Sequence, residues 1–564
     1  MTTLVARPQR LREPGARTLS LAVAQQRLML LMLLFMAGVI VIALKLAWLS
    51  VFADGQGARG PAGFQIPRGD IVDRNGQVLA RTIEAWSIGV HANKLLTPPE
   101  QLAARLAALM PERTEAQYLA ILRSGVRFTY LRRRAMPELV AQVNAIGEPA
   151  MAYAREPERL YPQTTLAAHV IGYTDFDGTG VSGMERVLDD RLRNPATRGT
   201  PVALAIDARV QAAMESELFD AMVKHRAIGA TGLVLDVDTG EVVAMASLPV
   251  FNPNRIGGAP EDARRNNTTQ SVYELGSTFK PITIANAIDA GVVTSMSQRY
   301  DATSALPVGR FRISDDHPQN RWLNVPETLT HSSNIVTARI ADQLGEARTA
   351  ALFRKLHFDT APDIELKERG RPIWPTYWGR TTVMTIGYGH GMAVTPLHLA
   401  TGYAALVNGG IWRPATLLKV APGKAPKGSR VFAASTSARM RQLLRLIVTD
   451  GTGRKADADG LRVGGKTGTA EKPSAGGYAK RSLVSTFAAA FPMDAPRYVV
   501  IAMLDEPKGT AETGGYATAG MVSAPIVRKV VSRIGPLLGV TPDVTRDIDT
   551  SDLTPLLWKA KGER

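Results

Sequence analysis

Three short clusters hold the residue types that acyl transfer through a serine would need. The first is Ser277-Thr278-Phe279-Lys280. In the first turn of a helix, Ser277 and Lys280 would share a face, and the helix N-terminus would favour an oxyanion forming at the serine. A serine hydroxyl is a poor nucleophile until a neighbouring base takes its proton. Lys280 can be that base only if burial and a nearby cation hold it neutral. Alone the tetrad is weak, because Ser-x-x-Lys arises by chance in a chain this long and an exposed first-turn serine is the plainer reading. The second cluster, Ser332-Ser333-Asn334, follows a helix expected over residues 323–330. There Ser332 could relay a proton between Lys280 and a leaving amine, and the Asn334 amide could hold both the lysine and a substrate backbone. A polar helix junction would look the same. The third, Lys466-Thr467-Gly468-Thr469, reads as a strand approached by small residues. Lys466 would supply positive charge toward a substrate carboxylate, with Thr467 and Thr469 donating hydroxyl hydrogen bonds to it. Gly468 would leave room for a close backbone approach, and an edge strand here could pair with an extended peptide. Together, and in this order, the three clusters make one acyl-transfer set, which no cluster makes alone.

Such side chains must be positioned by a scaffold, and its parts can be read. Residues 232–237 and 241–246 are apolar runs joined by Asp238-Thr239-Gly240, a hairpin pattern, and residues 483–491 and 498–504 form a second pair near the C-terminus. Asp207 is suited to cap a helix through Gln211 and Leu218, and Pro525 to open another. Strands first, helices between and strands last imply one antiparallel sheet covered by helices. Asn75-Gly76 marks a further hairpin upstream. Residues 386–391 carry three glycines, but no strand–turn–helix unit with an acidic partner surrounds them, so they read as a tight turn before a helix opened by Thr395-Pro396. Asp315-Asp316-His317 reads as a solvated loop, the histidines make no ligand spacing, and no metal or cofactor is expected.

At 564 residues the chain is too long for one ordinary core. The absence of cysteine excludes disulfides, thiolate metal sites and cysteine nucleophiles. The net charge of +16 is spread along the chain rather than gathered in a stripe, which argues against nucleic acid and suits work beside anionic lipid and an anionic polymer. Arg7, Arg10, Arg12, Arg17 and Arg27 precede a long apolar run, so an uncleaved anchor with its N-terminus in the cytoplasm is expected. The expected organisation is a basic tail (1–27), a transmembrane anchor (28–53), an exported pedestal (54–201) opened by a Gly/Ala-rich linker, a catalytic domain (202–541), and a loose polar tail (542–564).

On these clusters, on Arg68-Gly69 through Ala80, and on the Arg159-Leu160-Tyr161-Pro162 and Gly183-Met184-Glu185 elements, the sequence resembles the class B penicillin-binding proteins. The size, and the spacing of about 55 residues between the first two clusters, look most like the septal, division-specific members. One departure is Leu275, where many relatives have proline. The resemblance implies an α+β fold: a transmembrane helix, an elongated pedestal, and a transpeptidase domain with a central antiparallel sheet flanked by helices. It implies that Ser277 attacks the D-Ala-D-Ala bond of a peptidoglycan stem peptide, that an amine from a neighbouring stem accepts the acyl group, and that β-lactams acylate the same serine. By the same carry-over the backbone N–H groups of Ser277 and Thr469 form the oxyanion hole. No glycosyltransferase signature is present, so a separate membrane-embedded polymerase of the shape-elongation-division-sporulation (SEDS) family and other division proteins are the implied partners. An elongation-type role, a carboxypeptidase using water as acceptor, and a sensor or scaffold with an idle site remain alternatives.

Overall fold

The computed structural model describes residues 16–52, 67–309, 311–474 and 477–558. The chain divides into two compact units, residues 1–64 and 65–564. In the first, one helix runs Ala16–Phe52, beginning earlier than the expected anchor; its stretch Gln26–Lys45 is long and apolar enough to cross a membrane. The expected linker lies outside the described residues.

The second unit opens with β1 (Ile71–Val72) and β2 (Val78–Val90), antiparallel across the Asn75-Gly76 turn. Asp73 Oδ1 accepts from the backbone N–H groups of Asn75 and Gln77, both at 2.8 Å, and Gly76 takes a φ of 87°, which only glycine adopts freely. β2 also pairs with β3 (Thr129–Ala135) and β4 (Met151–Leu160). These two strands escape sequence reading because runs of charge, Arg132-Arg133-Arg134 in β3 and Arg155-Glu156 in β4, break the apolar alternation of a half-buried strand; two of the charges meet as ion pairs Arg133–Glu156 and Arg134–Glu158. Three motifs of the pedestal converge on one carboxylate. Buried Glu185 accepts from Arg68 Nη2 at 2.8 Å and from Arg159 Nε at 2.6 Å. β5 (Val202–Ala203), where a new domain was expected to begin, runs parallel to β1 and ties the two regions together.

The catalytic region is built on β6 (Gly229–Asp236), β7 (Val242–Leu248), β8 (Gly464–Ser474), β9 (Gly477–Phe491) and β10 (Tyr498–Asp505). They form one antiparallel sheet in the order β8-β9-β10-β6-β7. Both faces are apolar, and alternate residues serve different cores. Val234, Phe487, Val500 and Leu504 pack with helices Ala208–Lys224 and Ala524–Leu537. Leu233, Ala488, Ile501 and Met503 belong to the larger core, with helices Lys280–Asp289 and Pro396–Val407. Asp207 caps the first of these helices through Arg209 N, and Thr395 forms a capping box with His398.

The expected loose tail is a correction. Residues 542–558 lie on the catalytic region: Leu553 is fully buried, Asp547 pairs with Arg445, and Asp552 pairs with Arg439. The acids that make the segment look polar pair with basic side chains of the helix Ala434–Asp450 while staying partly exposed.

Candidate active site

Ser277 sits in a 3-10 turn, Gly276–Phe279, that runs directly into the helix Lys280–Asp289. The turn is fixed by close backbone packing. Gly276 has a φ of 53°, and a Cβ on Gly389 would lie 1.9 Å from Gly276 O, which explains the middle glycine of the turn at 386–391. Behind it the buried Tyr403 hydroxyl donates to Thr278 O at 2.8 Å. Leu275, the departure from the family pattern, is buried and its carbonyl accepts from Thr278 Oγ1 at 2.9 Å. Ser277 itself is half-buried.

One turn on, Lys280 is fully buried. Its Nζ contacts the Ser332 carbonyl, Ser332 Oγ at 3.1 Å and Asn334 Oδ1 at 2.7 Å. A neutral amine has two N–H groups for the two carbonyl-type oxygens and a lone pair left for a hydroxyl. Burial pushes the Lys280 amine down to about 7, with Asp315 and Asp316 opposing the shift.

Ser332 presents that carbonyl from a strained backbone, with a φ of 59°. The strain is held on both sides. Ser333 N donates to Thr328 O at 2.9 Å, and Ser333 Oγ caps the helix Asn334–Lys355 through Val336 N. Asp315, buried, accepts from Ser333 Oγ at 2.8 Å and from Ile335 N at 2.9 Å, while Ser314 O accepts from Asn334 Nδ2 at 3.0 Å. The solvated-loop reading of 315–317 is therefore corrected at Asp315, which anchors the second cluster; Asp316 and His317 are exposed.

Lys466, Thr467, Gly468 and Thr469 lie on β8, at the edge of the sheet. Gly468 does permit a close backbone approach, but by the chain's own turn that carries Ser277: a Cβ there would lie 2.4 Å from Leu275 O. Fully buried Lys466 donates to Thr467 O at 2.9 Å and to Thr467 Oγ1 at 3.0 Å. Burial first, and then the charge of Lys280, hold its amine well below the ordinary lysine range. Thr452 Oγ1, absent from the sequence reading, is 3.0 Å from Thr467 Oγ1. Thr469 Oγ1 accepts from Ala519 N at 3.0 Å, which leaves its own proton free to be donated. No three-residue group of metal-ligating side chains occurs among the described residues.

Residues 230–532 match the family model described as penicillin binding protein transpeptidase domain, and residues 65–197 that described as penicillin-binding protein dimerisation domain. The chain is 41% identical over 510 residues to the probable peptidoglycan D,D-transpeptidase FtsI of Caulobacter vibrioides, covering 88% of this chain and 86% of that one. It is 28% identical to the peptidoglycan D,D-transpeptidase FtsI of Escherichia coli, covering 88% of each. Among solved structures it resembles penicillin binding protein 3 of Mycobacterium tuberculosis complexed with aztreonam, with a TM-score of 0.67, 25% identity, and coverage of 85% of this chain and 98% of that one. The chain belongs to the penicillin-binding proteins, and within them to class B, the FtsI type.

Proposed function

We propose that the chain is a membrane-anchored, serine-type peptidoglycan D,D-transpeptidase that cross-links stem peptides during septal wall synthesis and is acylated by β-lactams. The observation that carries this reading is the buried Lys280 amine, lowered to about 7 and cradled by Ser332 and Asn334 one helical turn from Ser277. A base poised near the working pH is what a serine nucleophile requires. The neutral Lys280 amine takes the Ser277 hydroxyl proton as Oγ attacks the carbonyl of the penultimate D-alanine. The oxyanion is met by the backbone N–H groups of Ser277 and Thr469. The proton passes through Ser332 to the departing amine of terminal D-alanine, leaving an ester on Ser277. An amine from a second stem then attacks that ester, its proton returns to Ser277 Oγ by the same route, and the cross-link is released.

The donor's terminal carboxylate falls to Lys466, Thr467 and Thr469. Placed beside Lys466, it favours the charged form of that lysine, and a charged Lys466 in turn disfavours protonation of Lys280. Gly468 keeps β8 against the nucleophile turn. The N-terminal arginines support a single pass through the inner membrane, with residues 1–27 cytoplasmic, a pedestal over 54–201 and a catalytic domain over 202–541 on the outer side. A chain of this kind depends on a separate polymerase of the SEDS family for its glycan strands. The test is incubation with an N-acylated D-Ala-D-Ala stem peptide and a diamino-acid acceptor. Release of D-alanine with amide product supports a transpeptidase; release with free acid alone would make the protein a carboxypeptidase.

A further inference from the structure

The helix Val325–Thr330 ends two residues before Ser332, and with only six residues its geometry rests on its cap. The cap is a box: Asn324 Oδ1 accepts from Glu327 N at 2.9 Å, and Glu327 Oε2 accepts from Asn324 N at 3.1 Å. Each member has a second bond, and both go to the C-terminal segment. Asn324 Nδ2 donates to Leu556 O at 2.7 Å, and Glu327 Oε1 accepts from Trp558 N at 3.0 Å. Both residues are buried. Arg321 completes the junction, donating to Glu327 Oε1 at 2.8 Å with its guanidinium 5.1 Å from the Trp558 ring. From this end the helix hands on geometry directly: Ser332 N donates to Leu329 O at 3.3 Å and Ser333 N to Thr328 O at 2.9 Å. Ser332 then meets the Lys280 amine.

We propose that residues 553–558 are a strap that positions Ser332 against Lys280 through the Asn324–Glu327 capping box. Asn324, Glu327 and the Trp558 backbone are positioning residues; none touches the reacting atoms. Without the strap bonds the short helix frays, the Ser332 carbonyl withdraws, and water reaches the Lys280 amine, which moves up toward an ordinary lysine. The charged groups facing that amine are Asp315, Asp316 and Lys466; Arg321, Glu327 and His331 face the strap junction. The inference rests on Lys280 being the base.

The experiment uses the full chain and a fluorescent penicillin, following the acylation rate against pH and the endpoint stoichiometry. Trp558→Pro removes the donor N–H and the ring, and Leu557 already holds the extended conformation (φ −79°, ψ 128°) that a residue before proline adopts. Trp558→Ala removes the ring and keeps the N–H. Asn324→Ser keeps a good cap and loses the bond to Leu556 O. Trp558→Pro and Asn324→Ser should acylate roughly three- to tenfold more slowly at neutral pH. Their acidic limb should move to higher pH, with full stoichiometry, while Trp558→Ala stays close to wild type. If Trp558→Pro fails to fold, Asn324→Ser carries the same test. Equal loss in Trp558→Ala and Trp558→Pro, or a slower rate with an unmoved limb, would overturn the strap. A wild type that takes no penicillin would overturn the reading of the site itself.

Discussion

Asn334 Oδ1 lies 2.7 Å from Lys280 Nζ, so two residues separated by 54 positions share one partly buried hydrogen bond. The pairing leaves the lysine amine in a cradle of oxygens with no carboxylate in direct contact among the described residues. Burial then dominates, and the amine stands at about 7 rather than 10.5. Much of the site's expected behaviour follows from that contact.

The first consequence is a pH dependence. In the proposed mechanism the reactive form of Lys280 is the neutral amine, whose share falls as pH drops through about 7. Acylation by penicillin should therefore fall by about tenfold per pH unit well below that point and level off above it. Stopped-flow acylation between mildly acidic and mildly basic pH checks this; a flat profile across the range would remove Lys280 as the base.

Lys280→Arg keeps a cation but cannot be neutralised. The acylation rate should drop by roughly 100- to 10,000-fold, the usual contribution of a positioned base. Rates from intact-protein mass spectrometry over long incubations measure it, and retention of near wild-type speed would contradict the assignment.

Asp315→Ala removes the acceptor for Ser333 Oγ and Ile335 N together. The cost should be about 1–3 kcal/mol in stability, accompanied by slower acylation because the strained Ser332 turn relaxes. Thermal melts paired with acylation rates would show both effects. Loss of stability with an unchanged rate would limit Asp315 to folding.

Gly389→Ala places a methyl group 1.9 Å from Gly276 O at a position whose φ is 91°. Roughly 2–4 kcal/mol of strain is expected, delivered to the turn that carries Ser277. Acylation should suffer more than the melting temperature does. A variant with normal acylation would show that the turn can shift freely.

Far from the serine, Glu185→Gln leaves Arg68 and Arg159 buried without their shared carboxylate. Destabilisation of about 3–5 kcal/mol is expected, with the acylation rate of the folded fraction unchanged. Denaturant melts with active-site titration separate the two quantities.

The three clusters of the candidate site were legible because each is local: a serine and lysine one turn apart, a Ser-Ser-Asn step, and four consecutive residues on one strand. The apolar runs of β6, β7, β9 and β10 were equally plain. Asp315 was not, because its partners lie 18 and 20 residues away and no periodicity links a loop carboxylate to a distant helix cap. Thr452 meets Thr467 across 15 residues for the same reason. β3 and β4 read as irregular since the consecutive arginines of β3 find their partners, Glu156 and Glu158, only on β4. The segment 542–558 read as a loose tail because nothing local shows that Asp547 and Asp552 pair with Arg445 and Arg439, more than 100 residues upstream.

The most direct measurement is the intact mass of the wild type and of Ser277→Ala after incubation with benzylpenicillin. A single stable adduct on the wild type, absent from Ser277→Ala at equal thermal stability, is the expected result. An adduct that persists in Ser277→Ala, or a folded wild type that gains no mass while the penicillin stays intact, would contradict Ser277 as the acylated nucleophile.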